Sequence, residues 1–156
     1  MGSERQLWRY VRKGMCDRWF AQRIETRAAS GVPDVWYVLQ PDAGRGVYHY
    51  HQGWLELKHL RELPKRASTP VRLPDFTEAQ RRWLGDVGAD WAGETSMLLQ
   101  VDRHYLLLPW WHLDEVGRVP IATLMDYAIG AWYRRIDFNQ LAESLASLRW
   151  HGDSPI

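Results

Sequence analysis

The fold of this chain is decided by GWLELK at residues 53–58, taken together with GVPDV at residues 31–35. In a β-strand successive side chains point to opposite faces, so Glu56 and Lys58 share one face while Leu55 and Leu57 share the other. Burying charges on such an apolar strand is costly unless they are paired, hydrated or bound to a metal. The pattern therefore predicts a strand that carries a carboxylate and an ammonium side by side.

A second strand is predicted at residues 35–39, and Asp34 stands directly before it. If the two strands are neighbours in a sheet, Asp34, Glu56 and Lys58 converge at one edge. A hard divalent cation such as Mg²⁺ is held by one or two carboxylates together with waters and phosphate oxygens. The three residues therefore supply the protein half of a metal site.

This arrangement resembles the PD-(D/E)XK nuclease signature, in which an Asp, and a Glu two residues before a Lys, hydrolyse a phosphodiester with a divalent metal. A longer run more narrowly resembles the VRR-NUC-like branch, which includes phage-encoded proteins similar to Holliday-junction resolvases. That run consists of RIE at 23–25, GVPDV at 31–35, GWLELK at 53–58 and FTEAQ at 76–80. The resemblance covers roughly residues 20–108, and the tail from Trp110 lies outside it.

The resemblance implies a DNA endonuclease with Asp34, Glu56, Lys58 and Glu25 as its catalytic residues. It implies Mg²⁺, or Mn²⁺ in its place, held by Asp34, Glu56, Glu25 and the backbone carbonyl of Leu57. It favours a structure-selective enzyme of the Holliday-junction-resolvase kind, acting on branched DNA in recombination. Two strands are then cut by the two sites of a homodimer, in the cytoplasm of a bacterial host if the chain is encoded by a phage or prophage.

Each predicted residue has a role in phosphodiester cleavage. The metal polarises the phosphate and lowers the pKa of water, which supplies several kcal/mol of transition-state stabilisation. Lys58 orients the attacking water or offsets the charge on the phosphate. Glu25 binds a second metal or holds a water; the alternative is an ion pair with Arg23 or Arg27.

Basic residues follow Lys58 in the segment up to Arg82, where several prolines predict a loop. We expect this segment to follow the DNA backbone. Its candidate substrate-binding residues are Gln80, Arg61, Lys65, Arg66 and Arg81. Gln80 also completes a capping box with Thr77, so it is either a helix cap or, by the resemblance, a neighbour of the active site.

A length of 156 residues favours one domain over residues 1–156. We expect an α/β fold with a mixed central sheet of about four or five strands flanked by helices. The resemblance implies a restriction-endonuclease-like core, with a helical C-terminal extension from about residue 110. A formal net charge of +1 excludes a global polycation, and a lone Cys16 excludes a disulfide framework within one chain. The sequence shows neither a signal segment nor a membrane-spanning run, so we expect a cytoplasmic protein without a membrane partner.

Other elements follow from periodicity and turn residues. They are a helix from Ser3 to about Arg18, strands at 95–101 and 104–108 joined as a hairpin, a helix from Pro120 with an apolar stripe to Trp132, and a second stripe from Phe138 to Leu148. The two C-terminal stripes pack on the sheet or form a dimer interface, and core packing is favoured.

Several alternatives share these residues. An exonuclease, a flap nuclease, a restriction-type nuclease and an RNA nuclease use the same metal chemistry and differ in how substrate arrives. A module that binds nucleic acid without cleaving it is the alternative from another class. A zinc site at His49, His51 and His59 is disfavoured because no fourth ligand is suggested. Among the ten tryptophans, Trp54 and the pair at 110–111 are candidates for base stacking or an interface.

Overall fold

The computed structural model describes residues 2–15, 17, 19–25, 31–40, 50–90 and 94–148. Its strands are β1 (Trp19–Arg23), β2 (Val35–Leu39), β3 (His51–Leu60), β4 (Thr95–Val101), β5 (His104–Pro109) and β6 (Gly130–Tyr133). Its helices are α1 (Glu4–Gly14), α2 (Glu78–Asp90), α3 (Ile121–Tyr127) and α4 (Phe138–Ser147), with a 3₁₀-helix at Trp110–Glu115. None of the helices described is long and apolar enough to cross a membrane.

The six strands form one sheet in the order β1-β2-β3-β4-β5-β6. Neighbours are antiparallel except β3 and β4, which are parallel and are connected through α2. A parallel pair requires a crossover connection, and a helix is the usual one. The predicted α/β architecture with a mixed sheet is confirmed, with six strands in place of the four or five expected.

The C-terminal segment contains the main departure from the expected elements. The helix predicted from Pro120 to Trp132 is wrong beyond Tyr127, because Gly130–Tyr133 is a strand that pairs with β5. Pairing there satisfies backbone groups that the edge of β5 would otherwise leave open. The segment from residue 110 is therefore not purely helical, since it completes the sheet.

The first helix also ends earlier than expected. Ser3 caps it as predicted, because its hydroxyl accepts the backbone N–H of Gln6 at 3.2 Å. The helix stops at Gly14 instead of about Arg18, since Met15 adopts an extended conformation. Position 14 accommodates no side chain, because a Cβ added at Gly14 would clash with the ring of Phe138.

The sheet separates two hydrophobic cores. One core contains Leu55 and Leu57 of β3 together with residues of α1 and α4, and the other contains Met97 and Leu99 of β4 together with residues of α2 and α3. Packing of α4 into the first core confirms the core alternative for that apolar stripe. Register pairs Glu56 with Met97 and Lys58 with Leu99. The two charged residues therefore lie on the face of the sheet that α2 covers.

Candidate active site

Asp34 is held in place at the start of β2 by both neighbouring strands. Its carbonyl accepts the backbone N–H of Ile24 at 2.7 Å. The last register pair of β2 with β3 is Val35 with Leu55, so Asp34 lies across from Glu56. Its carboxylate Oδ2 accepts the backbone N–H of Leu57 at 2.9 Å. The two acids predicted to converge are therefore brought together at the same point of the sheet.

Gly31 explains why the GVPD segment approaches α2 so closely. Its φ is +93°, and a Cβ added there would lie 2.5 Å from the carbonyl oxygen of Ala79. Only glycine tolerates both the left-handed conformation and the contact. The segment that carries Asp34 is thereby packed against the first turn of α2.

Glu56 and Lys58 form a buried ion pair on β3. Glu56 is fully buried and Lys58 is 4% exposed. The Lys58 ammonium lies 2.9 Å from Glu56 Oε1 and 3.2 Å from Glu4 Oε1. The strand pattern predicted that the two charges share a face, and the ion pair confirms it.

The buried setting perturbs both titratable groups. Burial, reinforced by the negative charge of Asp34, raises the pKa of Glu56 to about 7, although Lys58 opposes the shift. Burial disfavours the charged form of Lys58, but Glu56, Glu4 and Asp34 outweigh it and raise the pKa of the ammonium above its usual value. Lys58 is therefore a permanent cation at neutral pH, while the charge of Glu56 changes there.

The two carboxylate oxygens of Glu56 differ in their hydrogen bonding. Oε1 accepts from Lys58 and also from the Gln80 side-chain amide, whose nitrogen lies 2.6 Å away. Oε2 is buried and accepts no hydrogen bond. A buried carboxylate oxygen without a partner is costly, and such exceptions in a folded protein call for an explanation.

Gln80 forms the predicted helix cap and also contacts Glu56. Its backbone N–H donates to Thr77 Oγ1 at 3.2 Å, and its side-chain oxygen accepts the backbone N–H of Thr77 at 3.0 Å. These bonds form the predicted capping box. Because the side-chain nitrogen also reaches Glu56, the start of α2 is tied to the acid on β3.

Comparisons with known proteins add a structural similarity. No model of a protein family matches this chain, and no curated protein matches it. The chain is similar to the solved structure of Hjc from Archaeoglobus fulgidus, a Holliday junction resolvase from an archaeal hyperthermophile. The similarity covers 71% of this chain and 77% of that one, at 20% sequence identity and a TM-score of 0.42. A similarity at this sequence identity and TM-score carries no conclusion about what this chain does.

The remaining predicted residues lie outside this cluster. Glu25 is exposed beyond the end of β1 and takes no part in the contacts described above. Arg61, Lys65 and Arg66 are exposed on the segment between β3 and α2.

The guanidinium of Arg81 contacts other residues of the chain instead of pointing into solvent. Its guanidinium donates to the carbonyls of Leu113 at 2.8 Å and Val116 at 2.7 Å. It also lies over the ring of Phe76, 4.4 Å from the centroid. Arg81 therefore connects α2 to the end of the 3₁₀-helix. The guanidinium N–H groups that form these two hydrogen bonds are not available to a phosphate.

Glu4 was missed by sequence reasoning. An acidic residue in the first turn is common because it complements the helix dipole, so its position carried no functional signal. Its contact with Lys58 spans 54 residues of chain and depends on how α1 packs on the sheet.

Within the part of the chain that the structure describes, no third acidic or histidine ligand joins Asp34 and Glu56. Among the described residues, no three His, Cys, Asp or Glu side chains are grouped closely enough to hold a metal ion. Of the disfavoured zinc alternative, His49 lies outside the described residues. A cation at Asp34 and Glu56 would complete its coordination from backbone, water and substrate oxygens, as Mg²⁺ commonly does.

Proposed function

We propose that this chain is a divalent-metal-dependent DNA endonuclease whose catalytic residues are Asp34, Glu56 and Lys58. The observation that carries the proposal is the unpartnered, buried Oε2 of Glu56, whose carboxyl group is repelled by Asp34 and pairs through Oε1 with the Lys58 ammonium. Glu56 and Lys58 are buried and Asp34 is partly buried beside them, an arrangement that is unfavourable for stability and suited to binding a cation and a phosphate.

The residues present fit a hard divalent cation. Asp34 and Glu56 repel each other, and Oε2 lacks any donor, so a cation would relieve both penalties. Mg²⁺ or Mn²⁺ would be held by Asp34 and Glu56, with the Leu57 carbonyl as the further ligand that the family resemblance implies. When bound, the cation polarises the scissile phosphate and lowers the pKa of water.

The chain's own residues then act on the substrate. Lys58 keeps its positive charge at neutral pH and offsets the negative charge that develops on the phosphate. Gln80 acts as a positioning residue, because its amide fixes the orientation of the Glu56 carboxylate. Asp34 is oriented by the Leu57 N–H. Glu25 is proposed to hold a water or a second cation from its exposed position beyond β1.

The proposed substrate is branched DNA, cut by a homodimer with one site for each strand. Support comes from the family resemblance and from the exposed cations Arg61, Lys65 and Arg66, which begin three residues after Lys58. Exposed cations next to a cleavage site neutralise phosphates and release counterions when DNA binds.

The decisive experiment compares wild type with Asp34→Ala in the presence of Mg²⁺. Single strands, duplex, a flap and a four-way junction of shared sequence are offered as DNA, and the single strand and duplex also as RNA. Symmetric paired cuts on the junction that disappear in Asp34→Ala support the proposal, and Asp126→Ala on exposed α3 is the matched control. Cleavage retained in Asp34→Ala would refute the site. Equal cutting of plain duplex would refute junction selectivity, and preference for RNA would refute the substrate.

A further inference from the structure

Two connections at one end of the sheet are joined to each other. Asp102 and Arg103 form the turn between β4 and β5, and Arg134 follows the end of β6. The backbone N–H of Arg134 donates to the carbonyl of Arg103 at 2.7 Å. The bond places the two arginines side by side on neighbouring turns.

Both turns adopt an unusual backbone conformation. Among the described residues other than glycine, the ones with positive φ are Asp102 at 51° and Arg134 at 68°. Such conformations are strained for a residue with a side chain and persist where the surrounding structure holds them, often at functional sites. A glycine at either position would remove that strain, so the presence of arginine at 134 calls for a reason beyond the turn.

The side chains of Arg103 and Arg134 line an open hollow of about 410 Å³. Both residues are exposed, and neither guanidinium forms an ion pair with the described part of the chain. Among the residues that the structure describes, no acidic side chain lines the hollow. Two unpaired guanidinium groups facing one space form a site for an anion.

An aromatic support lies under one of the two arginines. The guanidinium of Arg134 lies over the ring of Tyr133, 5.3 Å from its centroid, and that ring packs on His104 with centroids 5.1 Å apart. A guanidinium stacked on a ring keeps its N–H donors free at the edges. Arg134 is thus restrained in position while its hydrogen-bonding capacity remains available.

The hollow lies at the end of the sheet where β3 ends, two residues beyond Lys58. The backbone N–H of Asp102 donates to the carbonyl of Leu60 at 3.1 Å, and Arg61 comes next in the chain. Strand spacing and rise place the two turns about 15 Å from Lys58. With one phosphate per strand for about every 3.4 Å of duplex axis, that distance corresponds to four or five base pairs.

We propose that Arg103 and Arg134 form a second phosphodiester-binding site, which binds the DNA backbone about four or five base pairs from the point of cleavage. The choice of DNA as the anion rests on the proposed function and on the continuity of this cluster with Arg61. Contacts to phosphate position a nucleic acid without reading its sequence, so this site fixes where the duplex lies relative to Lys58.

The test measures DNA binding without turnover, by fluorescence anisotropy of a labelled four-way junction in EDTA over a range of salt concentrations. The test variant carries Arg103→Gln with Arg134→Gly, because glycine accepts the left-handed backbone and keeps the turn intact. Each lost phosphate contact reduces the slope of log K against log salt by about 0.9, so we expect a decrease of about 2. The matched control is Arg9→Gln with Arg12→Gln, two exposed arginines on α1.

The outcomes separate this proposal from the nuclease assignment. A smaller slope in the test variant, with the slope unchanged in the α1 control and in Arg103→Lys with Arg134→Lys, supports the site. An unchanged slope, or an equal decrease in the α1 control, overturns it. A decrease in the lysine variant equal to that in the test variant also overturns it, because the charge was kept. If wild type binds as expected but never cleaves DNA with Mg²⁺, the nuclease assignment fails while the binding site stands.

Discussion

The side-chain amide of Gln80 donates to Glu56 Oε1 at 2.6 Å, which joins the first turn of α2 to the middle of β3. The other end of the same amide accepts the backbone N–H of Thr77 and caps the helix. One side chain therefore caps the start of α2 and donates a hydrogen bond to a buried acid. A capping box and a contact with Glu56 are not alternatives at this position.

We predict that Gln80→Ala impairs cleavage, whereas Thr77→Ala, the matched control, affects only the stability of α2. Loss of an N-cap side chain costs about 1 kcal/mol of unfolding free energy. Gln80→Ala also removes a donor from Glu56, so single-turnover cleavage should slow by tenfold or more. Urea unfolding and single-turnover rates of both variants check this. Equal loss of cleavage in the two variants would mean that Gln80 acts through the helix cap alone.

We predict that Glu56→Gln stabilises the metal-free protein at high pH. The pKa of Glu56 is raised from 4.5 to about 7 in the folded protein. Between those values the folded state holds a proton that the unfolded chain has lost, so stability falls as pH rises through this window. At about 1.4 kcal/mol per pKa unit, the loss amounts to about 3 kcal/mol.

Urea unfolding in EDTA from pH 4 to pH 8 measures this effect. Glu56→Gln should match wild type below about pH 4.5 and exceed its stability above about pH 7, while Glu143→Gln on the exposed face of α4 should follow wild type throughout. A difference between Glu56→Gln and wild type that does not change with pH would contradict the raised pKa.

We predict that Lys58→Met abolishes cleavage and destabilises the fold above neutral pH. The ammonium lies between Glu56 and Glu4, and its removal leaves a buried carboxylate without a counterion. Breaking a buried pair in this way typically costs about 3 to 5 kcal/mol. The cost should shrink as pH falls toward 7, because loss of Lys58 raises the pKa of Glu56 further and protonated Glu56 needs no counterion.

The matched control for Lys58 is Glu4→Gln. Glu4 is about a third exposed, with 32% of its side chain accessible, so its pairing with Lys58 should contribute less than about 1 kcal/mol. Cleavage should stay within a few fold of wild type in Glu4→Gln. Calorimetric Mg²⁺ titration should show nearly unchanged affinity in Lys58→Met, since a protonated lysine is not a metal ligand. A large loss of affinity with little loss of rate would argue against the proposed role of Lys58.

We predict that Arg81→Ala lowers stability without changing the salt dependence of DNA binding. Its guanidinium is bound to the carbonyls of Leu113 and Val116, which the substitution leaves without donors. Hydrogen bonds to charged groups contribute about 1.5 to 3 kcal/mol each. Arg82→Ala, whose side chain is 75% exposed, is the control and should unfold like wild type. A reduced salt slope in Arg81→Ala would restore Arg81 as a phosphate contact.

Local patterns predicted the parts of the site that depend on neighbours along the chain. Alternation at residues 53–58 predicted which side chains of β3 share a face, and the Thr77–Gln80 spacing predicted the start of α2. The strand after Asp34 could be recognised from its apolar run. Each of these features is decided within a few residues, because side-chain direction and capping follow from backbone geometry.

The apolar spacing near the C-terminus misled the prediction for a physical reason. Ile129 and Trp132 fit a helical stripe. Pairing of the backbone from Gly130 with the open edge of β5 nevertheless stabilises this segment more than a continued helix would. Tertiary context of this kind overrides local propensity, since the partner strand is distant in sequence.

The sequence by itself determined the acid, the lysine and the strand that carries them, since all three follow from alternation within one short segment. Only the tertiary structure decided that Glu4 reaches Lys58, that Gln80 reaches Glu56 and that Arg103 stands beside Arg134. Those contacts join residues 54, 24 and 31 positions apart. They arise from helix packing and strand order, which no local spacing encodes.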